Sequence, residues 1–408
     1  MLRAFDPSGM RKAYEIRQSP TSTPIQLCTV CLRHDVLARR NSQAADMALE
    51  NLPRVAALMG AQHGVATRHQ LHSAGLSDRR ISTLVKRRCL IRLRPGAYAD
   101  EAIWSTATMA ARHAMSLLGI QLSAPDTVGV VLTAAVAWGL PVRRIPERPV
   151  VARDRDKPVL KRADVRRIAL SRADVTSNAD LRITTLPRTV VDVAGEAAFP
   201  DALITVDAAL RRGVTREQLD AQLTRLVGAK AHRANAAIEA GDPASESALE
   251  SLSRGRGIEA GLPPPLCNLV IRRGGRWGRV DELWLPLGIV GEADGRLKYQ
   301  EGTGSPDALW LEKQRQDWLE DMGLAVLRWG FHDVADDGHV LSAKYGRAAL
   351  RQKRYGFTWP DDVTIELPQL PGVQIPQRVI DELRLLQLAG YPVVGFPTSD
   401  RLSDVARF

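Results

Sequence analysis

The stretch GVATRHQLHSAGLSDRRISTLVKRRCLIRLRPGAYA, residues 64–99, decides how the N-terminal part of this chain folds. Thr67 heads a short helical run, TRHQLHSAG, which Gly75 closes; Ser77 heads a second, SDRRISTLVKRR. Ser and Thr in such places accept hydrogen bonds from the first unpaired backbone N–H groups of a helix. In the second run Ile81, Leu84 and Val85 share one stripe, which leaves Arg79, Arg80, Thr83, Lys86 and Arg87 on the outer face. CLIRLRPGAYAD then reads as strand about a Pro95-Gly96 turn. Upstream, NLPRVAALMGAQ places Leu52, Val55, Ala56 and Met59 at helical spacing. Three helices and a hairpin spell a winged helix-turn-helix over residues 47–103. Eight Lys/Arg against one acid, Asp78, lie between Gly60 and Gly96. A helix entering the major groove needs such a basic, hydrogen-bonding outer face. The set expected at double-stranded DNA is therefore Thr67, Ser77, Arg79, Arg80, Thr83, Lys86 and Arg87. Arg92 and Arg94 carry the wing to the neighbouring phosphates.

Working outward, 408 residues exceed what one hydrophobic core holds, so several domains are expected. Apolar residues at 45% and charged residues at 25% are the balance of a soluble globular chain. No apolar run approaches the ~20 residues of a membrane helix, and no secretory h-region opens the sequence. Four cysteines make no disulfide framework, which points to a reducing cytoplasm. Fifty-six Lys/Arg against 46 Asp/Glu give a net charge of +10, suited to an anionic partner.

Residues 1–46 carry no helical or strand period. They read either as a disordered arm or as sequence upstream of a true start at Met47. Cys28, Cys31 and His34 form CTVCLRH there, but no second ligand pair follows at zinc-finger spacing. Residues 104–240 read as a mixed α/β middle region. WSTATMAARHAMSLLG, LTAAVAWGLPV, ITTLPRTVVDVAG and DALITVDAALRRG are apolar helices, and the basic segment Arg143–Arg172 alternates like strand around VRRIAL. No catalytic constellation appears in it.

Residues 241–345 change character. A helix over GDPASESALESLSRGRGIEAG precedes three short strands, CNLVIRR, GRVDELWL and GIVGEADG; the helix DALWLEKQRQDWLEDMG and the strand LAVLRWG complete an αβββαβ order. Asp281 falls within one strand, and Glu292 and Asp294 end the next, two residues apart and so on one sheet face. Glu250 on the preceding helix reaches the same cluster. Hard oxygen ligands of this kind suit Mg²⁺ or Mn²⁺, which activates water against a phosphodiester. Lys298 is placed to stabilise charge on the phosphoryl group. Glu246 reads as a solvated residue; Trp310, Trp318, Leu319 and Trp329 read as core anchors, and Cys89 and Cys267 as small buried hydrophobes. His332 and His339 fall in a polar loop. Residues 346–408, with a basic helix SAKYGRAALRQKRYGF and an amphipathic VIDELRLLQLAG, stay unassigned.

Two resemblances follow from these motifs. Residues 64–99 resemble the N-terminal winged-helix domain of AbiEi-type antitoxins, as found at the head of longer actinobacterial proteins. That implies sequence-specific DNA binding and, as a partner, a cognate toxin. SALESLSR, RVDELW, VGEADGRLKY and EKQRQDWLEDMGLAVLRW resemble the PD-(D/E)XK domain related to very-short-patch repair endonucleases. That resemblance implies a restriction-endonuclease-like fold, with Glu250, Asp281, Glu292 and Asp294 at the metal. It also puts Lys298, Tyr299, Lys313 and Arg315 near phosphate. One departure matters: the family reads Glu-x-Lys where this chain has Glu292-Ala293-Asp294. The expected protein is thus a multidomain α+β / α/β chain with two alternatives. It is a Mg-dependent endonuclease delivered by a winged helix, or a non-catalytic AbiEi-like regulator that reuses the nuclease fold.

Overall fold

The computed structural model describes residues 49, 52–153, 157, 160, 162–294, 306–368, 370, 373 and 375–394. Residues 1–46 with Cys28, Cys31 and His34, and the Lys298-Tyr299 pair, lie outside the described residues. Among those described the chain is mixed α/β, with fifteen helices and three sheets.

The first unit runs α1 (Pro53–Ala61), β1 (Val65–Thr67), α2 (Arg68–Ser73), α3 (Asp78–Lys86), β2 (Leu90–Arg94) and β3 (Ala97–Asp100). Its sheet has the order β1-β3-β2. Its three helices and hairpin fall in the span 47–103 where the sequence expects a winged helix. Thr67 caps α2 through a full capping box with Gln70, and Ser77 caps α3 by accepting from the Arg80 N–H. Val55, Met59, Leu71, Ile81, Leu84 and Leu90 form its core.

The middle unit begins with α4 (Glu101–Thr106) and α5 (Met109–Gln121). The single helix expected over residues 104–119 is broken because Thr108 caps a new one. β4 (Val128–Gly129), α6 (Val131–Ala137), β5 (Val150–Ala152), β6 (Asp164–Arg166), β7 (Val175–Asn178) and β8 (Leu181–Thr184) follow. They make a five-stranded sheet of order β6-β5-β4-β8-β7. Helices α7 (Leu186–Glu196), α8 (Phe199–Arg211), α9 (Arg216–Leu223) and α10 (Gly228–Ala240) complete the unit. The stretch ITTLPRTVVDVAG is thus strand as far as Thr184 and helix only from Leu186. The wing sheet is covered on both faces. Leu90 faces the winged-helix core, while Val65, Ala99, Ile91 and Leu93 pack with Leu117 and Leu118 of α5.

The last unit holds α11 (Ala248–Glu259), β9 (Leu266–Arg273), β10 (Arg276–Trp284), β11 (Ile289–Ala293), α12 (Pro306–Glu320), β12 (Ala325–Trp329), α13 (Phe331–Val334), α14 (His339–Tyr355), β13 (Val363–Glu366), α15 (Gln377–Leu388) and β14 (Val393–Val394). Its sheet has the order β12-β11-β10-β9-β13-β14, with β10–β11 antiparallel and β11–β12 parallel. The αβββαβ order is therefore present. The expected limit at 345 is not a boundary: α14 runs across it, and the tail strands β13 and β14 extend the same sheet. Trp318, Leu319 and Trp329 are core anchors as expected, whereas Trp310 is 59% exposed. Cys267 is buried and Cys89 only half-buried.

The limit at 240 is also bridged by close packing. Arg254 of α11 and Asp207 of α8, 2% and 0% exposed, pair at 2.6 Å. A Cβ on Gly255 would stand 2.6 Å from the Pro200 backbone, so only glycine lets these two helices meet.

Candidate functional site

The outer face of α3 is as the helical period predicts. Arg79, Lys86 and Arg87 are exposed, and Arg80 and Thr83 half-buried. Thr83 Oγ1 donates to the Arg79 carbonyl at 2.8 Å. The single acid of the stretch, Asp78, is held by Arg68 and by His72 Nε2. The Arg68 guanidinium keeps its carboxyl below the usual range. Among the described residues no salt bridge neutralises Arg79, Arg80, Lys86, Arg87 or Arg92, so the α3 face and the wing keep their positive charge.

Three of the residues expected at DNA stand differently. Thr67 is buried and its hydroxyl is spent on the capping box. Ser77 is exposed, but it serves as the cap of α3. Arg94 is 8% exposed, and its Nε and Nη1 have no partner. The cause is local. Pairing in the wing shifts between Arg92–Tyr98 and Arg94–Ala97, a bulge that swings the second arginine to the other face. Arg94 therefore points to the seam with the middle unit. Burial and the nearby Arg153 pull its pKa down. Arg92 stays exposed on the wing.

The carboxylates of the last unit gather around the β10–β11 pair. Glu282 pairs with Gly291, so Asp281 stands opposite Glu292 in the same register. Asp281 Oδ2 accepts from the Ala293 N–H at 2.8 Å. Glu250, 8% exposed, accepts from the Glu246 N–H at 2.7 Å and from Asn268 Nδ2 at 2.8 Å. Asn268 is left-handed at φ +52° and stands opposite Asp281, between the pairs Val280–Leu269 and Glu282–Cys267, with the register unchanged across it. Glu282 follows Asp281 on β10 and so points to the other face, toward α11, where Ser253 Oγ donates to it at 2.8 Å, whereas Glu292 meets Arg315 of α12. Glu246 is exposed and pairs with Arg279 through both oxygens, at 2.7 and 2.8 Å.

Glu292 is 5% exposed and receives both arms of Arg315, at 2.9 and 2.8 Å. Arg315 also bonds Glu312, which in turn bonds Arg328, and Arg328 reaches Asp294 at 3.1 Å. Five charges of alternating sign thus run Glu292–Arg315–Glu312–Arg328–Asp294. Burial pushes the Glu292 carboxyl up against the pull of Arg315. Burial acts on Glu312 as well, but its two arginine bonds carry it down to about 2.

This ladder decides the fit of a divalent cation. The oxygens of Glu292 and Asp294 that were expected at Mg²⁺ already accept from guanidinium groups. Among the described residues no three His, Cys, Asp or Glu side chains converge as a metal site. The described donor set therefore does not fit the expected centre. Arg315 bridges Glu292 and Glu312, and Lys313 is exposed on the same helix. Glu282, Glu312, Arg328 and Asn268 were not anticipated from sequence. A signal for Glu312 and Arg315 was present in their three-residue helical spacing.

No protein-family model matches the chain. Two Mycobacterium tuberculosis proteins described as uncharacterized, Rv2248 and MT2308, are each 29% identical to it over 179 residues. The match covers 43% of this chain and 65% of each relative, so the chain spans just under two thirds of their length. Among solved structures, the RV2827C protein from Mycobacterium tuberculosis aligns with a TM-score of 0.35 and 16% identity. That alignment covers 56% of this chain and 85% of the other, and so distant a likeness carries no argument. No described helix is long and apolar enough to cross a membrane.

Proposed function

We propose that this chain is a double-stranded-DNA-binding regulator that places α3 in the major groove and its wing on the flanking backbone. The observation that carries the reading is the unneutralised outer face of α3. Asp78 is sequestered by Arg68 and His72, which leaves Arg79, Arg80, Lys86 and Arg87 for phosphates and base edges. Arg92 extends the reach to the wing; Arg94 does not belong to this set. The AbiEi resemblance supports the same role, with a cognate toxin as protein partner.

A second reading, Mg²⁺- or Mn²⁺-dependent strand scission, draws on Asp281 standing opposite Glu292 in a sheet of the expected order. The arginine ladder weighs against it, since it favours a nuclease fold kept as a rigid binding body. One experiment separates the two. Duplex binding is measured across salt for wild type and for Arg79→Ala/Arg80→Ala/Lys86→Ala, and plasmid nicking is followed with Mg²⁺ or Mn²⁺. The regulator reading expects the log–log salt slope to flatten by about 2.7, at about 0.9 for each phosphate no longer neutralised, and no nicking. Unchanged affinity and slope in the triple variant remove α3 from DNA binding. Metal-dependent nicking that disappears in Asp281→Ala and Glu292→Ala establishes the nuclease instead.

A further inference from the structure

Helix α14 carries five Lys/Arg and no acid in seventeen residues, and the α3 reading makes no use of it. Leu341, Tyr345, Ala348 and Gln352 form its buried stripe, with Tyr345 against Trp284 at 5.0 Å. Lys344, Arg347, Arg351 and Arg354 recur at spacings of three, four and three, so they make one row beside that stripe. The row flanks β12, the terminal strand of the six-stranded sheet. Between them lies a groove of about 310 Å³ with an apolar floor at Ala325 and Leu327, one acid, Glu320, and Lys344, Arg347 and Arg351 along its wall.

The row has a direction. Lys344 Nζ donates to the Arg328 carbonyl at 2.7 Å and pairs with Asp333 at 3.2 Å, and Arg328 holds Asp294, so this end adjoins the carboxylate site. Gln352 Nε2 donates to the carbonyls of Gly288 and Gly323 at the opposite end of β11 and β12. From Lys344 to Arg354 the helix advances roughly 15 Å at about 1.5 Å per residue. Among the described residues Arg347, Arg351 and Arg354 form no salt bridge.

We propose that the α14 row and the β12 groove are a track for the phosphodiester backbone of DNA, leading to the Asp281–Glu292 end of the sheet. The proposal rests on the DNA-binding reading of α3 and extends it to a second surface. Two features favour a nucleic acid over an acidic polypeptide. Arg347, Arg351 and Arg354 repeat at about 4.5–6 Å along the axis, so successive phosphates of one strand can each meet one guanidinium. Lys344 also covers the Arg328 carbonyl, so the strand edge is obstructed for a peptide adding as a further strand.

The test uses the full chain and a fluorescent duplex, comparing wild type with Arg347→Ala/Arg351→Ala/Arg354→Ala, the corresponding triple Lys variant and the α3 triple variant. All three α14 positions are exposed, and circular dichroism checks that the fold is kept. The track expects the Ala variant to lose about 2.7 in salt slope and about 100-fold in affinity at 0.15 M salt, with the Lys variant restoring the slope. Wild-type affinity and slope in the α14 Ala variant, with the α3 variant impaired, overturn the track and leave the α3 reading intact. No duplex binding by wild type overturns both. Poly-glutamate binding lost in the Ala variant, with its DNA slope unchanged, reassigns the groove to an acidic polypeptide and overturns the DNA track.

Discussion

Glu282 offers a test of how the last unit is held together. It is 1% exposed in β10, with one oxygen accepting from Ser253 and the other without a partner. Burial lifts its pKa from the ordinary 4.5 to about 8; Ser253 and Arg254 pull it down, and Asp281 and Glu250 push it up. Between those two pH values the folded chain binds more protons than the unfolded one. Stability therefore falls as pH rises from about 4.5 and levels off above about 8. At about 1.4 kcal/mol per pH unit, the interval is worth at most about 5 kcal/mol. Glu282→Gln keeps the shape and the acceptor for Ser253 and removes the charge. The expected result is equal stability near pH 4.5 and a variant more stable than wild type by a few kcal/mol at pH 9. Urea unfolding at pH 5, 7 and 9 measures it, with Trp284, Trp318 and Trp329 in the same unit as fluorescence reporters. Parallel pH profiles for wild type and Glu282→Gln would refute the reasoning and mean that water reaches the buried carboxyl.

Two further outcomes are expected. Gly255→Ala drives a methyl into the Pro200 backbone and forces α8 and α11 apart, at a cost of about 3 kcal/mol; an unchanged urea midpoint would mean that these helices are not tightly joined. Ser77→Ala removes the α3 cap at a cost of about 1 kcal/mol, so amides in the first turn of α3 exchange roughly 5-fold faster, while those of α11 keep their rates.

Local chemistry was legible in the sequence wherever short range decides it. Thr67 and Ser77 act as caps because a hydroxyl needs only the next turn of backbone to bond. The αβββαβ order also followed from pattern, because each strand carries its own apolar run between Gly and Pro punctuation. The outer face of α3 needed nothing beyond a period of 3.6 and the positions of Ile81 and Leu84.

Long-range placement was decided by the tertiary structure. A one-residue bulge, invisible in an alternating RLRPG, takes Arg94 from the wing surface and buries it at the seam. Glu282 pairs with Gly291, so it and Glu292 lie on opposite faces of the sheet and meet different helices, and the Glu292 expected at a metal is met by Arg315 instead. Arg315 is 23 residues from Glu292 and Arg328 is 34 from Asp294, so only the closed sheet brings these pairs together. The tail joined the sheet for the same reason: the edge of β9 was available, and β13 satisfies its backbone groups. Sequence alone determined the elements, their caps and the charge of their faces, since these depend on neighbours within a few residues. Which carboxylate meets a guanidinium, and which arginine stays in water, was decided by folding, where burial makes an unpaired charge costly.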